Sequence, residues 1–263
     1  NPDPRSYKIR VTNKGTLVGG TQAFSLIVTY TSVVDPRVTY YWIGTNGGTW
    51  DNGANWSLTS GGSPASVVPA ANDRVVFDEK SFVAASTIDF NSNQSCYSVR
   101  WFGNQYAVNF SMNGNSLSVG ESMTLLTNKI TTSTPGTINF NSTTTSSNSV
   151  DLNANVLDKW SLVFNGSSSW AVTGTASIDK MTITQGTVAF NSAALHLNQL
   201  LPSGMSAKTV SFTTASLQAL QNLSIDFTGV TVQSDNSSSF IIMPSVTNTV
   251  NLSSANFQGI VNV

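Results

Sequence analysis

The pattern that decides the fold is Thr137-Ile138-Asn139-Phe140-Asn141-Ser142, in which a polar, an apolar and a variable residue precede Phe and two small polar residues follow it. Four further stretches share this pattern: Thr87-Ile88-Asp89-Phe90-Asn91-Ser92, Ser161-Leu162-Val163-Phe164-Asn165-Gly166, Thr187-Val188-Ala189-Phe190-Asn191-Ser192 and, more loosely, Ser224-Ile225-Asp226-Phe227-Thr228-Gly229. The spacings between consecutive Phe residues are 50, 24, 26 and 37. We interpret them as multiples, in part fractional, of a repeat of about 25 residues.

Short segments in which apolar and polar residues alternate lie between these copies, for example Leu117-Ser118-Val119 and Leu195-His196-Leu197. Strands of this length and spacing are typical of a β-sandwich or a β-solenoid. The repeat near 25 residues, with its recurring Phe and polar ending, favours a solenoid, in which each coil stacks on the next. Asn and Ser at the bends can satisfy backbone groups there. The sequence therefore predicts an all-β chain whose residues 85–263 form a right-handed parallel β-solenoid of six to eight coils.

Composition excludes several classes of function. The chain has 263 residues, of which 10% are charged, and a net charge of -1. Its 12 Lys and Arg form no cluster, so we expect no nucleic-acid partner, because phosphate neutralisation needs grouped cations. No apolar run approaches the roughly 18 residues of a membrane span, so we expect no transmembrane segment. The single His and single Cys leave little material for catalysis.

The first third of the chain differs from the rest. Residues 1–34 contain two alternating segments joined by a turn, and we interpret them as the last strands of a β-sandwich whose remainder lies upstream in a longer polypeptide. Residues 35–84 form a linker and a region rich in tryptophan, with Trp42, Trp50 and Trp56 within 15 positions. We interpret this aromatic cluster as a cap that closes one end of the core. The alternative is a ligand platform in which Trp50 and Trp56 stack on a bound molecule.

The motifs of residues 40–200 resemble a known group of proteins. Tyr41-Trp42-Ile43-Gly44, Ala54-Asn55-Trp56-Ser57 and Val75-Val76-Phe77-Asp78 resemble the opening of large secreted surface proteins of Bacteroidetes, which the type IX system exports. Cys96-Tyr97-Ser98-Val99-Arg100-Trp101 and Phe164-Asn165-Gly166 resemble coils of the same group. This resemblance implies an extracellular or outer-membrane location, with the secretion machinery as a partner during export.

Residues 5–30 carry a second resemblance. Tyr7-Lys8-Ile9-Arg10-Val11 and Phe24-Ser25-Leu26-Ile27-Val28 look like the end of the β-sandwich that follows the catalytic domain in subtilisin-like proteases of the same bacteria. The resemblance implies that the parent protein is a secreted serine endopeptidase. No catalytic motif of those proteases lies in this chain, so no catalytic residue carries over. Beyond residue 200 the coils become irregular, and the sorting domain usual in such exports is not evident.

The candidate site residues are few. We expect Cys96 to be a buried small side chain and His196 to point outward between two inward leucines. Asp51, Asp73 and Asp78 offer oxygen ligands for calcium near the aromatic cap, although their spacing matches no known calcium loop. Asp151, Asp179 and Asp226 are the candidates for a pair of carboxylates that could cleave a polysaccharide, if two of them meet on one face.

These observations predict a non-catalytic structural or adhesive module of an exported bacterial surface protein. No cofactor is expected, apart from the calcium alternative. Rows of exposed Ser, Thr and Asn offer hydrogen bonds to polysaccharide or surface proteins. Two alternatives remain: the C-terminal part of a secreted subtilisin-like protease, and a β-helix that binds or degrades polysaccharide.

Overall fold

The computed structural model of the chain describes Gly15, Gly19 and residues 35–144 and 147–202, and beyond these the segments 208–213, 215–219, 224–226, 230–234, 239–242, 249–251 and 260–262. The two strands predicted between residues 5 and 32 lie outside the described residues. The chain divides into two compact units, residues 1–37 and residues 38–263. In the first unit, Arg37 Nη1 lies 3.1 Å from Asp35 Oδ1, and this ion pair fixes the turn at Asp35.

The second unit consists of strands. In chain order, the elements are β1 (Thr39–Trp42), β2 (Gly48–Thr49), a 3-10 helix (Gly53–Asn55), β3 (Trp56–Ser57), β4 (Arg74–Phe77), β5 (Ser86–Asp89), β6 (Gln94–Cys96), β7 (Ser98–Trp101), β8 (Val108–Ser111), β9 (Ser116–Val119), β10 (Met123–Thr124), β11 (Ile130–Thr134), β12 (Gly136–Phe140), β13 (Ser147–Asp151), β14 (Asn155–Phe164), β15 (Ser169–Thr173), β16 (Thr175–Ile183), β17 (Gly186–Asn191), β18 (Ala194–Pro202), β19 (Lys208–Thr213), β20 (Ser216–Ala219), β21 (Ser224–Asp226), β22 (Val230–Ser234), β23 (Ser239–Ile242), β24 (Thr249–Asn251) and β25 (Ile260–Asn262).

These strands stack into three parallel ladders, which we call the first, second and third faces. The first face runs β1-β4-β7-β10-β13-β15-β17-β19-β22. The second face runs β2-β5-β8-β11, continues through the first halves of β14, β16 and β18, and then through β20, β23 and β25. The third face runs β6-β9-β12 and then through the second halves of β14, β16 and β18. The pair β21 and β24 forms a separate parallel sheet.

From β4 to the end of β18, six successive turns each contribute to all three faces. The prediction of an all-β, parallel β-solenoid is therefore confirmed. The stacking begins earlier than residue 85, because β1 already pairs in parallel with β4 and β2 with β5. The tryptophan-rich region is thus built on the same ladders as the coils that follow it.

Columns of inward-pointing apolar residues hold the turns together. On the first face, one column joins buried residues in register through six turns: Val75, Val99, Met123, Val150, Val172 and Phe190. On the third face, a second column is equally buried: Cys96, Val119, Phe140, Phe164 and Ile183. Because side chains alternate between the two sides of a strand, a slip of one residue would turn an entire column outward.

The Phe residues of the recurring pattern do not all occupy equivalent positions, which corrects the sequence interpretation. Phe140 and Phe164 are register partners on the third face, and their rings stack with centroids 4.8 Å apart. Phe90, in contrast, follows β5 on the second face, and Phe190 lies on the first face opposite Val172. Phe227 lies outside the described residues. The pattern marks the end of a strand at a corner, and any of the three faces can supply such an end.

The turns also vary in length, so no fixed period relates them. Val172 pairs with Phe190, 18 residues later in the sequence, whereas Met123 pairs with Val150, 27 residues later. The length difference is taken up by the corners, while the strands keep their register. A constant repeat of about 25 residues is therefore an average over turns of different length.

The corner amides satisfy backbone groups, as the abundance of Asn predicted. The side chain of Asn155 is buried, and its Oδ1 accepts hydrogen bonds from the backbone N–H groups of Lys129 (2.9 Å) and Ile130 (2.8 Å). Its Nδ2 donates to the carbonyl oxygens of Leu126 (2.8 Å) and Leu152 (2.7 Å). One side chain thus joins the corners of two successive turns where no ladder can form.

Other asparagines allow the sharp backbone bends. Asn113, Asn128 and Asn153 adopt left-handed conformations with φ of 53°, 52° and 47°. Asn tolerates this region better than most residues with a side chain. Asn153 Nδ2 also donates to the carbonyl oxygen of Leu125 at 2.7 Å, so the residue both bends the chain and joins it to the preceding turn.

We predict that Asn155→Ala lowers the free energy of unfolding by about 3 kcal/mol, because it leaves buried backbone donors and acceptors unpaired. Urea denaturation followed by circular dichroism measures this change. Asn139→Ala is the matched control, because Asn139 lies on the outer side of β12 and is only partly buried. We expect it to change the stability by less than about 0.5 kcal/mol. Equal effects of the two variants would contradict the role of Asn155.

Candidate functional site

The tryptophan cluster forms the first end of the solenoid core. Trp42, Trp50 and Trp56 are each fully buried. Trp56 meets the other two rings edge to face, with centroid distances of 5.0 Å to Trp42 and 4.8 Å to Trp50. The indole N–H of Trp42 donates to the carbonyl of Gly44 at 2.9 Å, and that of Trp56 donates to the carbonyl of Trp50 at 2.8 Å.

An antiparallel strand brings these rings together. β3 pairs antiparallel with β1, and Trp42 lies opposite Trp56 in this pairing. The short 3-10 helix before β3 begins at Asn52, whose Oδ1 accepts a hydrogen bond from the backbone N–H of Ala54 at 3.0 Å. Asn55 Nδ2 donates to the carbonyl of Thr49 at 2.9 Å and fixes the return of the chain. β3 therefore covers the edge of the first face with a strand of opposite direction.

This geometry supports the interpretation of the tryptophans as a cap. Trp50 stacks on Phe90 with centroids 5.1 Å apart and also contacts Phe77. Because Trp50 and Trp56 are fully buried among protein rings, neither presents a ring face to a ligand in this structure. Their large apolar area instead contributes to the stability of the cap.

Asp51 closes the edge of the third face. Its Oδ2 accepts hydrogen bonds from the backbone N–H of Asn91 (3.1 Å) and the hydroxyl of Ser92 (3.0 Å), and its Oδ1 accepts from Nε2 of Gln94 (2.9 Å). Gln94 begins β6, the first strand of that face. The carboxylate therefore supplies acceptors beside the first strand of the third face.

Asp73 and Asp78 each serve a different local turn. Asp73 Oδ2 accepts from the backbone N–H of Ala70 at 2.8 Å. Asp78 is buried, and its Oδ1 accepts from the backbone N–H of Lys80 at 3.0 Å and from the hydroxyl of Ser81 at 3.3 Å. Within the described residues, no three His, Cys, Asp or Glu side chains come close enough to hold a metal ion. The contacts shown for Asp51, Asp73 and Asp78 are those of turn-stabilising groups.

Cys96 and His196 lie far apart in the stack. Cys96 is buried in the third-face column, as expected. Burial raises the pKa of its thiol, and the negative charge of Asp73 raises it further, so the reactive thiolate is disfavoured. His196 is exposed on the second face between the buried Leu195 and Leu197, which confirms the predicted alternation.

The three carboxylates considered for polysaccharide cleavage lie on different parts of the solenoid. Asp151 ends β13 on the first face. Asp179 lies in the middle of β16, where the chain bends from the second to the third face, and accepts a hydrogen bond from Asn198 Nδ2 at 3.0 Å. Asp226 ends β21. The topology therefore does not bring these residues together on one face.

The second face carries two depressions that the sequence analysis missed. The larger has a volume of about 560 Å³ and is lined mainly by polar side chains: Asn46, Ser86, Thr87, Asp89, Asn109 and Thr131. The smaller, of about 240 Å³, includes Asn155, Val156, Ser177 and His196. Sequence alternation indicates which residues point outward, but only the register between turns shows that they share one face.

We predict that Trp56→Ala lowers the free energy of unfolding by about 3–5 kcal/mol, because it leaves a large cavity in the cap. Chemical denaturation measures the loss. Leu58→Ala, two residues later, is the control, since Leu58 is 56% exposed and its truncation should cost little. A Trp56 variant as stable as the wild type would contradict the cap.

We predict that iodoacetamide alkylates Cys96 only after unfolding, because the thiol is buried and its pKa is raised. Mass spectrometry at pH 8 should show an alkylation rate at least about 100-fold lower in the native protein than in guanidinium. Equal rates in the two states would show that Cys96 is accessible. As the sole cysteine, Cys96 gives an unambiguous signal.

In the part of the chain that the structure describes, no helix is long and apolar enough to cross a membrane. Comparison of the chain with models of protein families, with curated proteins and with solved structures found no match.

Proposed function

We propose that this chain is a non-catalytic structural module of an exported bacterial surface protein, with an outer surface suited to adhesion. The observation that carries the proposal is the continuous stacking of six turns around buried apolar columns. Such a stack is stabilised by contacts between neighbouring turns and needs no distant contacts. It is suited to holding other parts of a protein at a fixed separation.

The stabilising interactions suit a protein outside the cell. In the described residues, the ion pair between Arg37 and Asp35 is the one salt bridge, so stability depends little on ionic strength. Ladder hydrogen bonds pair the backbone of successive turns, and strand-bound backbone is a poor protease substrate. The few Lys and Arg residues also give trypsin few cleavage sites.

Export and surface location are supported by sequence resemblance. The motifs of residues 40–200 resemble secreted Bacteroidetes surface proteins of the type IX system, and the low charge suits the same setting. The secretion machinery is the partner that this resemblance implies. The outward Ser, Thr and Asn side chains then offer hydrogen-bonding groups to polysaccharide or to proteins on neighbouring surfaces.

The modular stack gives a specific test of the structural role. Deleting residues 169–186 removes one turn, because Ser169 and Thr187 are register partners and Thr187 would take the place of Ser169. We expect this variant to reach the surface of the producing cells and to resist proteinase K within about twofold of the wild type. Antibody labelling of intact cells and timed digestion measure the two properties.

A deletion of half a turn is the matched control. Removing residues 169–177 breaks the register of every following strand, so the variant should be degraded. Loss of the one-turn variant to the same extent would contradict interchangeable turns. Absence of wild-type labelling on intact cells, with labelling after lysis, would contradict surface location.

A further inference from the structure

We propose that the second face is a binding site for a short neutral oligosaccharide, with the 560 Å³ depression as its centre. The inference deepens the adhesive part of the proposed function and rests on it. It names a site and a ligand class that differ from the tryptophan platform considered from sequence. The turn-deletion test uses no ligand, so a failure of one proposal can be told from a failure of the other.

The outward side chains of this face form one line along the stack. Thr87, Asn109 and Thr131 are register partners in three successive turns. The line continues through Val156, Ser177 and His196, which belong to the smaller depression. Neighbouring strands are about 4.8 Å apart, so the line presents a similar group at each step. An extended ligand with a short repeat can contact several turns at once.

The chemistry of the larger depression is that of a neutral, hydroxyl-rich ligand. Its amide and hydroxyl groups donate and accept hydrogen bonds, and its one charged residue is Asp89. No Lys or Arg lines either depression. A polyanion would find no cation there and would be repelled by Asp89, whereas sugar hydroxyls can pair with all of these groups. Charge therefore favours a neutral oligosaccharide over an anionic one.

An exposed aromatic residue lies beside the depression. Ala107 lines it, and the preceding residue, Tyr106, is 39% exposed. The buried Asn104 fixes the backbone of Tyr106, because its Nδ2 donates to the Tyr106 carbonyl and its Oδ1 accepts from the Tyr106 N–H, both at 3.1 Å. An amphipathic ring held in this way suits the apolar face of a sugar, since little conformational entropy is lost on binding.

The experiment titrates the full chain with a panel of neutral hexasaccharides of glucose, mannose, galactose and xylose, and with a heparin-derived hexasaccharide. Isothermal titration calorimetry measures Kd. We expect at least one neutral hexasaccharide to bind with a Kd below about 1 mM and more tightly than the heparin fragment. Failure of every neutral hexasaccharide, or tighter binding of the heparin fragment, would overturn the proposal.

Matched variants locate the site. Asn109→Lys places a long cation in the depression and should weaken binding at least tenfold, whereas Asn139→Lys makes the same change on the third face and should alter Kd by less than twofold. Tyr106→Ala tests the aromatic contribution independently, with Leu58→Ala as its exposed control. Thermal denaturation verifies that each variant is folded.

Binding that survives both Asn109→Lys and Tyr106→Ala would overturn the assignment of the site. Sedimentation velocity tests another occupant, a second copy of the chain. Self-association that Asn109→Lys abolishes, in a chain that binds no neutral hexasaccharide, would show that the face joins protein to protein and would overturn the oligosaccharide proposal.

Discussion

The register between successive turns is the constraint on which the rest of the structure depends. Val150 lies on Val172 and Val172 on Phe190, and this alignment keeps apolar side chains in one continuous column. Each strand is short, so no single turn could bury its own apolar side; burial is achieved only when neighbours stack in step. The same alignment decides which polar residues form lines on the outside, so the core and the outer surface depend on one geometric requirement.

Corners impose a second requirement, because ladder hydrogen bonds end there. Asn155 meets it by pairing with four backbone groups from two turns, and Asn153 meets it by combining a left-handed bend with a hydrogen bond to Leu125. The corners can therefore vary in length while the strands remain aligned. This division of roles explains a chain rich in small polar residues that nevertheless has a continuous apolar core.

Much of this architecture could be predicted from local patterns, and the remainder depended on distant contacts. Alternation around His196 correctly placed its side chain outside and its neighbouring leucines inside. The equivalence of Phe90, Phe140 and Phe190 was wrong, because three faces end their strands with the same local signal. Asp51 was a metal candidate by residue type, and its contacts with residues 91–94, some 40 positions later, have no signature in the sequence. The second-face depressions depend on register in the same way.

The antiparallel strand β3 gives the stack a direction. It occupies the free edge of the first face with a strand that runs against the ladder, and beyond it the bridge between Ser57 and Pro64 is the remaining backbone pairing. An incoming chain cannot extend the ladder from this end in parallel, which lowers the risk of edge-to-edge aggregation. Evolution can then lengthen or shorten the rod by gaining or losing whole turns downstream, while the cap that starts it stays unchanged.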